Sequence, residues 1–423
     1  MMETASRTRS CTRNRGVNKK ETERGSKQIC LPMTRELYDE IWSDSKKVRA
    51  MLDKQMLESP ELFPKELLQG YRLTGRLPES KKLAGIQLRQ IRQKKAVYTI
   101  RPSFVMSYMS GTVEELENPL LLLSLGVPCW VMSMVFGKND MYWYRHLERL
   151  GRNSLVGTTV TQPQYLPRHL AGDEHHTDWN GEKGYVALTA GDGCILGLAL
   201  SSSADETHLR SAYGVFAEEA KTLDPTYAPE TVNTDGWWAT SHAFRYLFPS
   251  IVPILCFLNG FLKIRERCRK AHDLHQQVWN VYRAETAEAF QQQLACLQAW
   301  FEQGTWPATV TEMVATLCKR ADQYVLSYEH PGCHRTSNLV ALLMNRLTRL
   351  LYQGRGLHGH QSSSELRLRG WALLNNFRPF APRSGQVRDF QSPAHRLNQK
   401  QYHPHWLHNL QVCASCQGRR AVT

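Results

Sequence analysis

The stretch "TVNTDGWWAT" (residues 231–240) joins a short strand-like run to an acid, a glycine and two tryptophans. The β-branched residues before Asp235 predict a strand that ends at this acid. A carboxylate at the end of a buried strand must be paired, solvated in a cleft or bound to a metal, because an isolated buried charge is costly. The stretch therefore marks Asp235 as a candidate functional residue at the edge of a sheet.

The segments around this stretch predict a mixed α/β fold. "GYVALTAGDGCILGLALSS" indicates two strands joined by a tight Gly-Asp-Gly turn. The predicted elements are strands at 184–193 and 194–202, a helix at 204–223, a strand at 228–235, a helix at 238–248 and a strand at 251–257. A long, almost purely helical block follows from 263 to about 325, and the last predicted helices are at 338–352 and 363–376.

A second acid lies in "LAGDEHHTDWN" (residues 170–180), where a first strand is expected. If that strand neighbours the fourth strand, Asp173 and Asp235 lie side by side. Two carboxylates at that distance repel each other unless a divalent cation lies between them, and oxygen ligands suit Mg²⁺ or Mn²⁺. Two unrelated surface acids are the alternative. A zinc site at His175 and His176 is disfavoured, because adjacent strand residues point to opposite faces.

The net charge of +14 favours a polyanionic partner, and the excess charge is clustered. Residues 1–30 contain eight Lys or Arg, and residues 81–101 contain seven with no acid. "DMYWYRHLERL" (140–150) adds arginines and aromatics to a predicted helix. The candidate DNA-binding residues are Lys81, Lys82, Arg89, Arg92, Lys94, Lys95, Arg101, Arg145, Arg149 and Arg152.

The uncharged run "NPLLLLSLGVPCWVMSMVFG" (118–137) is long enough to cross a bilayer. Gly126 and Pro128 interrupt it, so we predict two short helices, at about 113–125 and from Pro128 to before Gly137. With the helix at 140–150 they form either a helix–turn–helix-type DNA-binding unit or an ordinary helical subdomain. No membrane association is expected.

A longer segment, "AGDEHHTDWNGEKGYVAL" through "TVNTDGWWATSHAFRYLFPSIVPILCFLNGFLKIRERC", resembles bacterial insertion-sequence transposases of the DDE/D class, akin to the Mutator-like group. The resemblance implies an RNase H-like mixed sheet with a large all-α insertion, preceded by a helical DNA-binding region. It also implies metal-dependent cleavage and strand transfer of double-stranded DNA at the element's ends by a homo-oligomer. Asp173 and Asp235 would be catalytic residues and ligands of two Mg²⁺ or Mn²⁺ ions.

Two positions depart from the family pattern. The Cys-x-x-His element reads Cys256 to Asn259, and the position of the third acid is Ala341. Alanine cannot bind a metal, so either another acid substitutes, with Glu365 the nearest downstream, or the chain is a catalytically inactive DNA-binding relic or regulator. Asp178 and Glu174 are further candidates for the missing acid.

These features divide the chain into six segments. The first two, residues 1–152 together, are expected to be removable without unfolding the core. The segments are a disordered basic tail (1–30), a helical DNA-binding region (31–152), an RNase H-like first part (165–262), a helical insertion (263–333), closing helices (334–380) and a C-terminal extension (381–423). Eleven scattered cysteines and the absence of a signal peptide predict a cytoplasmic, nucleoid-associated protein.

Overall fold

The computed structural model describes residues 28–94, 96–385 and 389–415. It has a mixed α/β architecture, about 54% helical, with two mixed sheets. In the described ranges, no helix is long and apolar enough to cross a membrane.

The first sheet lies in a region that the sequence predicts to be helical. Its elements are β1 (Gln28–Leu31), α1 (Arg35–Ile41), α2 (Ser45–Glu58), β2 (Arg72–Arg76), β3 (Arg89–Gln93) and β4 (Ala96–Pro102). The strand order is β1-β4-β3-β2, with only the β1–β4 pair parallel. The prediction of a helical region at 31–152 therefore fails at β2, β3 and β4 and holds at α1 and α2. Strands such as "RLTGR" and "RQIRQ" carry too few apolar residues for their alternation to be visible.

Three helices follow, and they agree with the prediction made for the uncharged run. They are α3 (Val113–Ser124), α4 (Cys129–Phe136) and α5 (Asp140–Gly151). Gly126 has a φ of 94°, and Pro128 is the N-cap of α4. The glycine therefore turns the chain between α3 and α4, where the sequence places the interruption.

The second sheet forms the centre of the molecule. Its elements, after α6 (Leu155–Thr159), are β5 (His169–Trp179), β6 (Glu182–Gly191), β7 (Cys194–Ser201), α7 (Glu206–Leu223), β8 (Thr231–Thr234), α8 (Trp238–Leu247) and β9 (Val252–Leu255). The strand order is β7-β6-β5-β8-β9. Strands β5, β6 and β7 are antiparallel neighbours, whereas β8 pairs in parallel with both β5 and β9. The predicted elements of this region are confirmed to within a few residues.

The remaining helices form two groups, a separate block followed by helices that pack on the sheet. They are α9 (Phe257–Arg267), α10 (His272–Arg283), α11 (Ala287–Glu302), α12 (Ala308–Lys319), α13 (Ala321–Glu329), α14 (Asn338–Gln353), α15 (Gln361–Phe377), α16 (Pro393–Asn398) and α17 (Trp406–Cys413). Helices α9 to α13 bury side chains such as Phe290 and Leu297 in a core of their own. Helices α14 and α15 cover one face of the sheet, and α7 and α8 cover the other.

Helix α5 crosses α15 at a very short distance because each helix presents a glycine to the other. A Cβ atom at Gly151 would overlap the carbonyl oxygen of Leu366, and one at Gly370 would overlap that of Leu147. Trp143 of α5 is buried in the same core as α15 and the sheet. The expectation that residues 1–152 can be removed without unfolding the core is therefore wrong.

The C-terminal segment also belongs to the folded body. Val412 is buried in the core of the first sheet. The Ser415 hydroxyl accepts a hydrogen bond from the backbone N–H of Cys30 at 2.7 Å, and Ser103 lies 2.8 Å from His408 Nδ1. Residues 389–415 thus pack against both the first sheet and the core around α15, while residues 1–27 and 416–423 of the predicted tails lie outside the described ranges.

We expect Gly151→Ala and Gly370→Ala each to destabilise the protein by about 1–3 kcal/mol, as overpacking of a tight contact does. Gly214→Ala on α7 is the matched control, because the nearest atom to its added Cβ would be 3.9 Å away. That substitution should be neutral or slightly stabilising, since alanine is the better helix former. Urea unfolding curves of the three variants measure the difference, and equal effects would contradict the tight crossing.

Candidate functional site

Asp173 and Asp235 lie at the same level of two neighbouring parallel strands, at the point where β8 ends and β5 continues. In the pairing of β5 with β8, Ala171 is opposite Asn233. Asp173 follows two residues later on β5, and Asp235 directly follows the last residue of β8. Because parallel strands advance together, the two acids stand at the same level of the sheet. The structure thus brings together the two acids that the sequence selects.

The surroundings of Asp173 disfavour its charged form. Burial is the main cause, and repulsion by Asp235 adds to it, so that the pKa of Asp173 rises to about 6. One hydrogen bond opposes the rise, from the backbone N–H of Glu174 to Asp173 Oδ1 at 2.9 Å. Asp235 is more exposed and accepts the backbone N–H of Trp237 at 2.8 Å. A cation between the two carboxylates would relieve their repulsion.

Glu174 does not join this pair, although it is adjacent in sequence. Its Oε1 accepts hydrogen bonds from the Tyr213 hydroxyl at 2.6 Å and from the Thr240 hydroxyl at 2.7 Å. Both partners belong to the helices α7 and α8, which cover one face of the sheet. Asp173 is on the other side of β5, the side of Ala171, which packs on the face covered by α14 and α15. Burial raises the pKa of Glu174 to about 7. Strand alternation thus separates the two carboxylates, and Glu174 is not a substitute for the third acid.

A cavity of about 250 Å³ adjoins Asp235. It lies between the end of the sheet and the helices α9, α12 and α13. Its polar and charged lining consists of Asp235, Asn259, Lys263, Glu312, Thr316, Arg320 and Tyr324. Gly236 has a φ of 88°, and an added Cβ would lie 2.5 Å from Leu255 Cδ1 and 3.3 Å from Arg320 Nη1. Only glycine therefore fits between Asp235 and this cavity.

The Cys256 to Asn259 element lies beside the same cavity. The backbone N–H of Cys256 donates to the Thr234 carbonyl at 2.9 Å, and its thiol donates to the Ser337 hydroxyl at 3.2 Å. Cys256 thereby connects the end of β8 to the residue before α14. Asn259, one turn into α9, lines the cavity as a hydrogen-bonding group without charge.

The other acid positions do not complete the site. Ala341 lies on the exposed side of the first turn of α14 and offers no side-chain ligand. Glu365 accepts hydrogen bonds from the backbone N–H of Leu200 at 3.4 Å and from Gln361 at 3.0 Å. Leu200 belongs to β7, which β6 separates from β5, so that Glu365 lies roughly two strand spacings, about 10 Å, from β5. The interpretation of Glu365 as a substitute is wrong.

Asp178 lies near the far end of β5, where its carboxylate accepts the backbone N–H of Gly181 at 2.9 Å in the hairpin turn. His175 and His176 likewise lie beyond Asp173 on β5, and the ring of His176 packs on Tyr185 at 4.8 Å. Within the described parts of the chain, no group of three or more His, Cys, Asp or Glu side chains is placed to hold a metal ion.

The candidate DNA-binding residues fall into two classes. Arg89 and Arg101 are buried, and their guanidinium groups donate to the backbone carbonyls of Trp42 and Val105. Assigning these two to DNA is therefore wrong, because strand alternation turns them inward. Lys81, Lys82, Arg92, Lys94, Arg145 and Arg152 are exposed, Arg149 is half-buried, and Lys95 lies outside the described residues.

The cavity also contains residues that sequence reasoning missed. Arg320 and Lys263 come from the helical block, far along the chain from Asp235. No local pattern marks them, because they reach the site only through the packing of α9, α12 and α13.

Comparison of the chain with protein-family models and with curated proteins finds no match.

We expect Asp173→Asn to stabilise the protein in metal-free buffer at pH 7.5, by on the order of 1–2 kcal/mol. The folded-state pKa of about 6 exceeds the ordinary value for an aspartate, 3.8, so the unfolded chain loses this proton first as the pH rises. The free energy of unfolding therefore falls as the pH rises from 4 to 6, and it stays lower above pH 6. The variant should differ little from the unaltered protein near pH 4.

Urea unfolding with EDTA at both pH values measures this effect. Asp178→Asn is the control, because Asp178 is an exposed acid on the same strand. A variant that is destabilised at pH 7.5 would contradict the proposed repulsion between Asp173 and Asp235.

Proposed function

We propose that the chain is a DDE/D-type transposase, akin to the Mutator-like group, with an RNase H-like core. The observation that carries the proposal is the placement of Asp173 and Asp235 at one level of the parallel strands β5 and β8, where β8 ends. The strand order supports it, because three antiparallel strands followed by two parallel ones place this pair of acids at the centre of the sheet. Helices α9 to α13, between β9 and α14, would be the insertion.

The residues present fit one divalent cation better than two. Two carboxylates, completed by water and by phosphate oxygens, are a typical protein contribution to a Mg²⁺ site. A second ion would lack its ligand, because Ala341 carries no oxygen on its side chain. When bound, Mg²⁺ or Mn²⁺ would polarise the scissile phosphate and lower the pKa of the attacking water.

The chain's own residues would position the DNA around the acid pair. Lys263 and Arg320 place two positive charges in the cavity together with the carboxylates of Asp235 and Glu312, and these two cations would contact a phosphate group. Asn259 would donate a hydrogen bond without exchanging a proton at neutral pH. The exposed basic residues of the first sheet and of α5 would hold the duplex, and a homo-oligomer would bring two DNA ends together in the nucleoid.

A second candidate function is a DNA-binding regulator without catalytic activity. Ala341 favours it, since neither Glu174 nor Glu365 lies where it could replace the missing acid. This protein would recognise DNA ends through the same basic surfaces. The two candidates differ in one measurable property, metal-dependent cleavage.

We expect little or no cleavage by the unaltered chain, and restored cleavage by Ala341→Asp. The substitution adds a carboxylate at the position where the family resemblance expects the third acid, and it does not crowd the core because Ala341 is exposed. The gain should be at least the roughly 10- to 100-fold that even outer partners of a metal ligand contribute. The assay is Mg²⁺- or Mn²⁺-dependent nicking of a plasmid carrying the DNA that flanks the gene.

Ala341→Asn is the matched control, because it has the shape of aspartate without the charge, and it should stay inactive. Glu365→Gln in the Ala341→Asp background should leave cleavage unchanged. Robust cleavage by the unaltered chain would show that another acid completes the site. Cleavage by neither chain, with DNA binding intact, would favour the regulator.

The DNA-binding surface is tested by the salt dependence of affinity. Each lost phosphate contact should lower the slope of log K against log salt by about 0.9. We expect the double variant Arg145→Ala, Arg152→Ala to lower the slope by about 1 to 2. Neither arginine forms an ion pair with another described residue.

The charge-matched control is Lys47→Ala, Lys54→Ala on α2. These lysines already pair with Glu40 at 3.1 Å and with Glu58 at 3.7 Å, so their loss should change the slope much less. Equal slopes for the two double variants would remove α5 from the DNA-binding surface.

A further inference from the structure

A stripe of exposed aromatic rings runs along α8 and starts three residues after Asp235. Trp238, His242 and Tyr246 are spaced four residues apart and therefore lie on one side of the helix. Trp238 is 60% exposed and Tyr246 is 64% exposed. The opposite side of α8 buries Ala243 and Phe244 against the sheet, so these outer rings are not needed for the core.

Each ring of the stripe is held by a neighbouring group. The Trp238 and His242 rings lie 4.0 Å apart, and the imidazole is fixed by contact between Nδ1 and the Trp238 carbonyl at 2.9 Å. At the other end, the guanidinium of Arg210 lies 4.2 Å from the centre of the Tyr246 ring. A large ring backed on one side and open on the other is a platform for another flat group.

The charge around the stripe is complementary to a polyanion. Residues 236–265 contain no Asp or Glu, and Arg245 lies exposed beside Tyr246. Arg210 adds a second positive charge at the same end. Acids border this surface at Asp235 and, at the start of α7, at Asp205 and Glu206. Exposed aromatic rings with neighbouring arginines are the combination by which proteins bind unpaired nucleotides without reading their sequence.

We infer that the α8 stripe binds a few unpaired nucleotides of a DNA strand whose adjoining phosphate lies near Asp235. The inference rests on the proposed function for the presence of DNA, and it adds that the bound strand is unpaired. From Trp238 to Tyr246 the helix rises roughly 12 Å at 1.5 Å per residue, which accommodates several stacked bases. Trp238, the ring nearest to Asp235, is a positioning residue that holds the base beside the reacting phosphate.

The test compares two fluorescent probes in EDTA, a fully paired duplex and the same duplex with a few unpaired nucleotides at one end. The unaltered protein should bind the forked probe more tightly. Trp238→Ala should lose between about 5-fold and 150-fold of its affinity for the fork, the range for removal of one stacking ring. Its affinity for the paired duplex should not change, because the phosphate contacts remain.

Two further variants separate stacking from a general effect of an exposed ring. Trp238→Phe keeps an aromatic face and should keep most of the preference for the fork. Tyr352→Ala removes a ring that is 82% exposed at the end of α14, outside the stripe, and should change neither affinity. With 2-aminopurine in the unpaired segment, binding should quench its fluorescence with the unaltered protein and not with Trp238→Ala.

Equal affinity of the unaltered protein for fork and duplex would overturn the inference and leave the proposed function standing. Two results with Trp238→Ala would also overturn the inference and leave the proposed function standing. One is quenching that persists in this variant, and the other is a change of its oligomeric state while its preference for the fork stays intact. Failure of the unaltered protein to bind either probe would overturn the proposed function, and the inference with it.

Discussion

The parallel pairing of β5 with β8 is the constraint on which the candidate site depends. These strands are distant in sequence, and β6, β7 and α7 lie between them along the chain. Their pairing sets Asp173 and Asp235 at one level and so creates the repulsion that raises the pKa of Asp173 to about 6. The fold thus holds two carboxylates close together in spite of their repulsion. A bound cation, or a substrate phosphate with its counterion, would reduce that repulsion.

The second sheet could be predicted from sequence because its elements are strongly patterned. The all-apolar run of β7 and the amphipathic helix α7 are visible without tertiary information, and the tight turn between β6 and β7 is marked by its glycines. The first sheet could not be predicted. Its strands are short, β2 and β3 are basic, and their apolar neighbours are supplied by distant helices, including α17 through Val412. The same reason explains the wrong assignment of Arg89, whose inward orientation depends on which face of β3 meets Trp42.

The residues of the candidate site also differ in whether the sequence alone identifies them. Asp173 and Asp235 could be selected from sequence because strand ends and acids are local signals. The exclusion of Glu174 and Glu365 required the structure, since it depends on which face of a strand is covered and on the order of strands in the sheet. The basic lining contributed by Arg320 is even less accessible to sequence, because its position follows from the packing of three helices in a core of their own.

Asp235 occupies the boundary between two different surfaces, and this position is informative about what it can meet. On one side lies a polar cavity with Lys263 and Arg320, and on the other lies the aromatic stripe that begins at Trp238. Gly236 joins them without a side chain of its own. In the function proposed above, the cavity would hold a phosphate group and the stripe would stack a base, which are the two chemically distinct parts of a nucleotide. Asp235 would then lie beside the phosphate of a bound strand, because it stands between the two surfaces.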